Sequence, residues 1–317
     1  MKVLDDTNLV DPKIKNAILH GNADMGRSGI VDCTVDKNIL NDVVKLANGE
    51  DYIKKFPSET PEAEIMRETP VGEVAIVDGV LYVNNGTNLE KINMSEPTFR
   101  RLFPPIKRFS THQGEVGDCY LVSPLENLYS KPKGRVQIYR MIGEDANGIY
   151  TITANSGYEK TYFYRLDSEY KHIKEEGGLA IIEQGYCKNE LAEAVGFDPT
   201  ETRIMEINAG GWAHDAIFNL LRKQTTCTRD PDSIQNYIRE YGNNEDYVIN
   251  VGSLAGSDTN AMSKKYDLYE GHIYSIKGYN SATDCVIISN PWHSGLTVEI
   301  PMSEFLQYFD NLTILKL

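Results

Sequence analysis

Gln113-Gly-Glu-Val-Gly-Asp-Cys119-Tyr120 is the stretch on which the fold of this chain turns. A glutamine precedes a cysteine by six residues, with Gly114 and Gly117 between them. The glycines permit a tight loop, and Leu121, Val122, Leu125 and Leu128 then recur at helical spacing. Cys119 therefore falls at a loop-to-helix junction, where unpaired backbone N–H groups point outward. Cysteine attacks as thiolate, and a helix N-terminus or a neighbouring imidazole favours that form. The spacing predicts a helix over about 119–129. Pro124 inside it removes one backbone hydrogen bond and is expected to kink it.

A nucleophilic cysteine needs a base, and the base needs an orienting partner. The histidines are His20, His112, His172, His214, His272 and His293. His272 is the best placed: it follows Gly271 and opens the alternating run His-Ile-Tyr-Ser-Ile-Lys-Gly-Tyr. Asn290 comes eighteen residues later, in Ile287-Ile-Ser-Asn-Pro-Trp292. A strand, a turn and a neighbouring strand would bring Asn290 beside His272. Its carbonyl would then accept the imidazole N–H and fix the tautomer, and Trp292 would cover that bond. Each member alone has a plain structural reading. A histidine at a strand start is commonly structural, Asn-Pro is a turn signal, and Gln113 is a loop residue. Together, in one workable order, they make a site.

At 317 residues the chain suggests about two domains. Its hydrophobic content of 41% fits a globular protein with real cores. The net charge of −14 opposes a nucleic-acid partner, which needs a basic footprint, and disfavours anionic membrane surfaces. No apolar run approaches the roughly 20 residues of a membrane helix. Met1-Lys-Val-Leu-Asp-Asp carries no apolar signal region, so the default expectation is cytoplasmic. Cys33, Cys119, Cys187, Cys227 and Cys285 are odd in number, widely spaced and free of any CxxC, against a disulfide framework or a zinc ribbon. All but Cys119 are read as buried, inert thiols.

Residues 1–95 read as an N-terminal appendage, a regulatory or propeptide-like region or a stabilising domain. Asp11-Pro12 starts a short helix, and Ile39 to Leu46 forms a helical stripe. Val74–Val77 and Val80–Val83 form a hairpin about Asp78-Gly79. Beyond it, strands are expected at Arg135–Ile142, Gly148–Ala154 and Tyr158–Leu166. Helices are expected at Leu179–Val195, Trp212–Leu221 and from Asp230-Pro231 to about Tyr241. The last third reads as antiparallel strands at Tyr247–Val251, His272–Tyr279, Asp284–Ser289, Leu296–Ile300 and Leu312–Leu317, with a helix at Ser303–Phe309. Ser253–Asp267 reads as a loop.

Gln113-Gly-x-x-Gly-Asp-Cys119-Tyr, Gly271-His272-x-Tyr-Ser and Asn290-Pro-Trp292 resemble the three signature blocks of the calpain-type cysteine proteases. Leu179-Ala-Ile-Ile-Glu183-Gln-Gly-Tyr-Cys-Lys188 is similar to the calpain helix written LLEKAYAK, and Ala209-Gly-Gly-Trp-Ala-His-Asp-Ala-Ile-Phe218 to the Gly-Gly segment after it. Met302 to Phe309 with Leu312–Leu315 resembles the helix and strand that close the protease core. The resemblance covers about 98–317. It implies an α+β, papain-like fold over 96–317, with a helical lobe (about 98–208) carrying Cys119 and Gln113 and an antiparallel β lobe (about 209–317) carrying His272 and Asn290.

The activity it implies is a cysteine endopeptidase acting on protein or peptide substrates. Cys119 is the nucleophile, His272 the base and acid, Asn290 its orienter, and Gln113 with the Cys119 N–H the oxyanion donors. Gly210, Gly211 and Gly271 are candidate substrate-binding positions where backbone approaches closely; the plain alternative is that they are turn glycines. Tyr120 stands where calpains usually have Trp, and His293 where they usually have Gly. Calpain cores are switched by calcium through an acid just before the glutamine loop and the LLEKAYAK glutamate. Glu183 matches the second, but Ser110 stands at the first, and no EF-hand pattern occurs. No cofactor or metal is expected, calcium included. Two other readings share the residues: an amidase or acyl transferase on the same triad, and a non-catalytic binding module.

Overall fold

A computed structural model describes residues 30–31, 51–105, 113–114, 116–146, 150–153, 161–164, 177–195, 210–254, 265–293 and 297–317. The first stretch of the chain gives β1 (Ile30–Val31), β2 (Lys54–Phe56), α1 (Glu62–Glu68), β3 (Val74–Val77), β4 (Val80–Asn84), β5 (Leu89–Lys91) and α2 (Glu96–Leu102). Then come α3 (Cys119–Ser130), α4 (Pro132–Met141), β6 (Ile142–Glu144), β7 (Tyr150–Thr153), β8 (Thr161–Tyr164) and α5 (Gly178–Val195). The remainder holds α6 (Ala213–Leu221), β9 (Thr226–Thr228), α7 (Pro231–Tyr241), β10 (Tyr247–Ser253), β11 (Ile273–Asn280), β12 (Cys285–Ser289), a 3-10 turn (Pro291–His293), β13 (Thr297–Pro301), α8 (Met302–Tyr308) and β14 (Phe309–Lys316). The architecture is mixed α+β. Seven strands run in the order β1-β13-β12-β11-β10-β14-β9, beside a four-stranded sheet β2-β3-β4-β5 and a three-stranded sheet β6-β7-β8.

Local chemistry explains several of these elements. Asp230 accepts the Ser233 N–H at 2.9 Å and Pro231 takes the first helical position, so α7 starts where its sequence signals. The β3–β4 hairpin pairs Val77 with Val80, and both turn residues have positive φ (Asp78 49°, Gly79 78°), as a two-residue hairpin turn requires. Helix α3 is buried from Cys119 to Tyr129, so it is a central helix and not a surface one. Pro124 lies within it, and the helix runs on to Ser130.

One expected element is of the wrong type. The run from Arg135 to Ile142 reads as a strand, but Pro132–Met141 is helix α4, and strand β6 begins only at Ile142. The alternation of Val136, Ile138 and Arg140 suggested period two. The buried set Arg135, Ile138, Tyr139 and Ile142 instead follows the helical period. Arg135 can face inward because Glu73 pairs with it at 2.8 Å and the Gly72 carbonyl accepts from it at 3.2 Å. A sequence window around 135 does not contain those partners. Helices α1 and α2 and strand β9 also carried no clear signal. The expected helices near residue 11 and over 39–46, and residues 255–264 of the expected loop, lie outside the described residues.

The boundary at 95/96 crosses a continuous apolar core. Ile53, Val74, Ile76, Leu81, Val83 and Ile92 cluster with Phe99, Leu125, Leu128 and Tyr139. The four-stranded sheet is tied to α4 through Arg135 and Glu73. That junction lies beyond the C-terminal end of α3, about 16 Å along the helix from Cys119 at its start. Residues 51–94 thus contribute to an apolar core shared with the helix that carries Cys119. Further upstream, β1 adds to the far edge of the large sheet, Ile30 opposite Val298. A second apolar cluster, with Ile249, Tyr274, Ile288, Phe305 and Phe309, lies within the large sheet and its covering helices.

Candidate functional site

The start of α3 and the ends of β11 and β12 converge. Cys119 is the first residue of α3. His272 immediately precedes β11 and Asn290 immediately follows β12. Pairing of Ser275 with Ser289 sets the two strands in register, so the residues beyond their ends face each other. His272 Nε2 lies 3.1 Å from Asn290 Oδ1, and both side chains are buried (4% and 7% exposed). Asn290 Oδ1 also accepts the Trp292 backbone N–H at 3.0 Å, which fixes the amide's orientation. A carbonyl oxygen at Nε2 makes that nitrogen the donor, and Nδ1 is the nitrogen left to take a proton. The Trp292 ring lies over the imidazole at 4.5 Å, Tyr274 meets it edge-on at 4.9 Å, and Tyr269 packs on Trp292 at 4.6 Å.

Cys119 meets this group through the next residue along. Helix α3 packs on β11, and the Ile273 amide, one position after His272, is close enough to the sulfur to oppose the rise of its pKa. The Gln113 N–H donates to the Pro291 carbonyl at 3.0 Å, which ties the glycine loop to the Asn290 turn.

Burial decides the protonation state. It pushes the Cys119 thiol up to about 11, and the neighbouring Asp118 carboxylate adds to this against the lowering effect of the Ile273 and Tyr120 amides. Burial also pulls His272 down to about 4, against the opposing hydrogen bond to Asn290. Moving the proton from that thiol to that imidazole costs on the order of 9 kcal/mol. The resting pair is thus neutral thiol and neutral imidazole. The helix start alone suggested thiolate; desolvation outweighs it.

Gln113 is placed differently from an open oxyanion donor. It is buried (2% exposed) and its Nε2 donates one N–H to the Val116 carbonyl at 2.7 Å, which leaves the second N–H of the amide for another acceptor. Among the described residues no loop carbonyl accepts the Cys119 N–H at the helix start.

Asp118 and Glu183 form a buried carboxyl pair beneath this loop. Burial raises Asp118 to about 6, and hydrogen bonds from Glu183 and Gln113 oppose the rise. Two carboxyls can hydrogen-bond only by sharing a proton. Among the described residues no group of three or more His, Cys, Asp or Glu side chains is arranged to hold a metal ion. Ser110 and the His293 side chain lie outside the described residues.

The glycines have backbone reasons to be glycine. Gly210 and Gly271 have φ of 83° and 60° with open space where a side chain would go. A Cβ on Gly211 would sit 2.7 Å from the Tyr120 ring, so this glycine packs on the residue after the thiol. Of the other cysteines, Cys285 is buried, but Cys227 is exposed, contrary to its reading as a buried thiol.

The sequence reading missed a polar face on α3. Ser123, Glu126 and Asn127 fall four, seven and eight residues past Cys119, on one side of the helix, and all are buried. Ser123 Oγ meets Ser275 Oγ at 2.9 Å, and Asn250 Nδ2 donates to Ser123 at 3.0 Å. Asn127 Nδ2 donates to the Ile249 carbonyl at 2.7 Å, just past the point where the β10–β11 pairing ends. Glu126 Oε1 pairs with Lys277 Nζ at 2.9 Å and accepts from Ser289 Oγ at 3.1 Å. These bonds join the helix bearing the thiol to the strands bearing the imidazole and its orienter. Polar residues at helical spacing from Cys119 were the available signal.

No protein-family model matches the chain, and comparison with curated proteins finds no relative either. Among the described residues, no helix is long and apolar enough to cross a membrane.

Proposed function

We propose that the chain is a cysteine endopeptidase of papain-like, calpain-type architecture, hydrolysing peptide bonds through Cys119, His272 and Asn290. The observation that carries this reading is the buried His272 Nε2–Asn290 Oδ1 contact at 3.1 Å, at the strand ends that pack against the helix opened by Cys119. A base held in one tautomer beside a thiol at a helix start is the arrangement that acyl transfer requires.

Because the resting pair is neutral, His272 acts as a general base during attack. Nδ1 takes the thiol proton as sulfur bonds to the peptide carbonyl carbon. Asn290 keeps Nε2–H directed and stabilises the imidazolium. The carbonyl oxygen, now anionic, is held by the Cys119 N–H and by the Gln113 amide. The imidazolium returns the proton to the leaving amine as the C–N bond breaks. Water, deprotonated by the same imidazole, then hydrolyses the thioester and frees the thiol.

Cleavage of a mixed peptide library by the full chain, followed by mass spectrometry, tests the reading. An epoxide-type thiol reagent is expected to modify Cys119, and Cys119→Ala is expected to lose both that label and all cleavage. A library left intact by the wild-type chain, or cut equally by the variant, overturns it.

A further inference from the structure

A pocket of about 220 Å³ lies near this site, lined by Trp212, His214, Cys227, Thr228, Arg229 and Asn311. Two short chains of contact tie it to Cys119. Trp212 follows Gly211, which packs on the ring of Tyr120, the residue after the thiol. Asn311 pairs with Gly252 on β10, and Gly252 pairs with Ile273 on β11, the strand against which the Cys119 helix packs. Two strand spacings put Asn311 about 10 Å from Ile273. An extended peptide advances ~3.3 Å per residue, so the pocket stands two or three residues from the scissile bond.

Its size and charge narrow the occupant. It is smaller than the ~300 Å³ at which pockets for cofactors and drug-sized ligands begin, and suits a single side chain. Trp212 is 45% exposed and forms one wall. The Arg229 guanidinium lies over its ring at 5.3 Å, and His214 stacks on it at 6.1 Å. Among the described residues Arg229 has no carboxylate partner. Asp230 caps α7 at Ser233, and Asp215 lies 3.5 Å from His214 Nε2 at the pocket wall; none of the described acids, Asp232 and Asp310 included, pairs with Arg229. On a chain of net charge −14, a fixed cation against an exposed indole, with the Asn311 amide beside it, is a local site for a carboxylate.

We propose that this pocket is a substrate subsite that takes an aspartate or glutamate side chain two or three residues from the scissile bond. The assignment of the carboxylate as part of a substrate rests on the endopeptidase reading above. Binding and cleavage therefore need separate readouts. Binding is measured on the full Cys119→Ala chain by tryptophan fluorescence, with peptides that carry Glu or Gln at either of those positions. The Glu peptide is expected to bind about fivefold more tightly than its Gln twin. Arg229→Gln is expected to bring the two together, and Arg229→Glu to favour a Lys peptide. Arg222→Gln, which removes an exposed arginine outside the pocket, should keep the preference. Equal affinities for the Glu and Gln peptides, or a preference unmoved by Arg229→Glu, overturn the subsite. Cleavage of the same peptides by the wild-type chain tests proteolysis on its own. Acid-selective binding without turnover sinks the endopeptidase and leaves a carboxylate site standing.

Discussion

In the proposed mechanism His272 must be neutral to accept the thiol proton, and its burial sets the pH at which that condition fails. With His272 held down at about 4 and Cys119 up at about 11, kcat/KM should stay level from about pH 5 to 9 and fall only as pH approaches 4. A thiolate–imidazolium site would instead lose activity on the alkaline side as its imidazolium gave up the proton. A pH profile with a basic limb below about 9 would therefore reject the neutral pair. Asn290→Ala leaves the ring without its acceptor at Nε2 and should lower kcat by on the order of 100-fold with little change in KM. These residues were legible in the sequence because each carries its chemistry in its side chain and local motif. The state of the thiol was not. It follows from the near-complete burial of Cys119 and His272, which depends on every element packed around them.

Helix α3 carries the Cys119 thiol at one end and, seven residues on, a carboxylate that locks the helix to two strands. Glu126→Ala would leave Lys277 largely buried without its partner and should destabilise the fold by about 3 kcal/mol in urea titration. Glu126→Leu combined with Lys277→Met removes both charges and should recover most of that loss. Equal stabilities for the single and double variants would show that the pair does not hold the helix. Most elements of the last third were readable from alternating apolar residues and from turn and cap signals at Asp230-Pro231 and Asp78-Gly79. Helix α4 was not, because its inward arginine is compensated by Glu73, 62 positions earlier. Residues 123, 126 and 127 sat in plain view at helical spacing, yet what they bond to is known only once α3 lies on the sheet.

Strands β3 and β4 share an apolar core with helices α2, α3 and α4. A chain beginning near Glu96 would expose Phe99, Leu125 and Leu128 where Val74, Ile76 and Leu81 now cover them. It should fail to give a cooperative thermal transition, whereas a cleanly folded product would make the sheet dispensable. Two buried groups also set opposing pH dependences. Asp118 is raised from 3.8 to about 6, so the stability of its protonated form is complete below 3.8 and is lost as pH rises through 6. His272 is lowered from 6.5 to about 4, so its neutral-form stability is present above 6.5 and lost as pH falls through 4. The stability of the wild type relative to Asp118→Asn should therefore rise by about 3 kcal/mol between pH 7 and pH 4, read from urea midpoints. A difference that stays constant would mean Asp118 does not titrate in the fold. By itself the sequence determined the identity and order of Cys119, His272 and Asn290 and the mixed α+β class, because motif chemistry and hydrophobic period are local properties. Tertiary structure alone decided that Arg135 belongs to a helix, that Gln113 turns into its own loop, and that the thiol at the start of α3 rests protonated. Each of these depends on partners and burial contributed by residues far away in the chain.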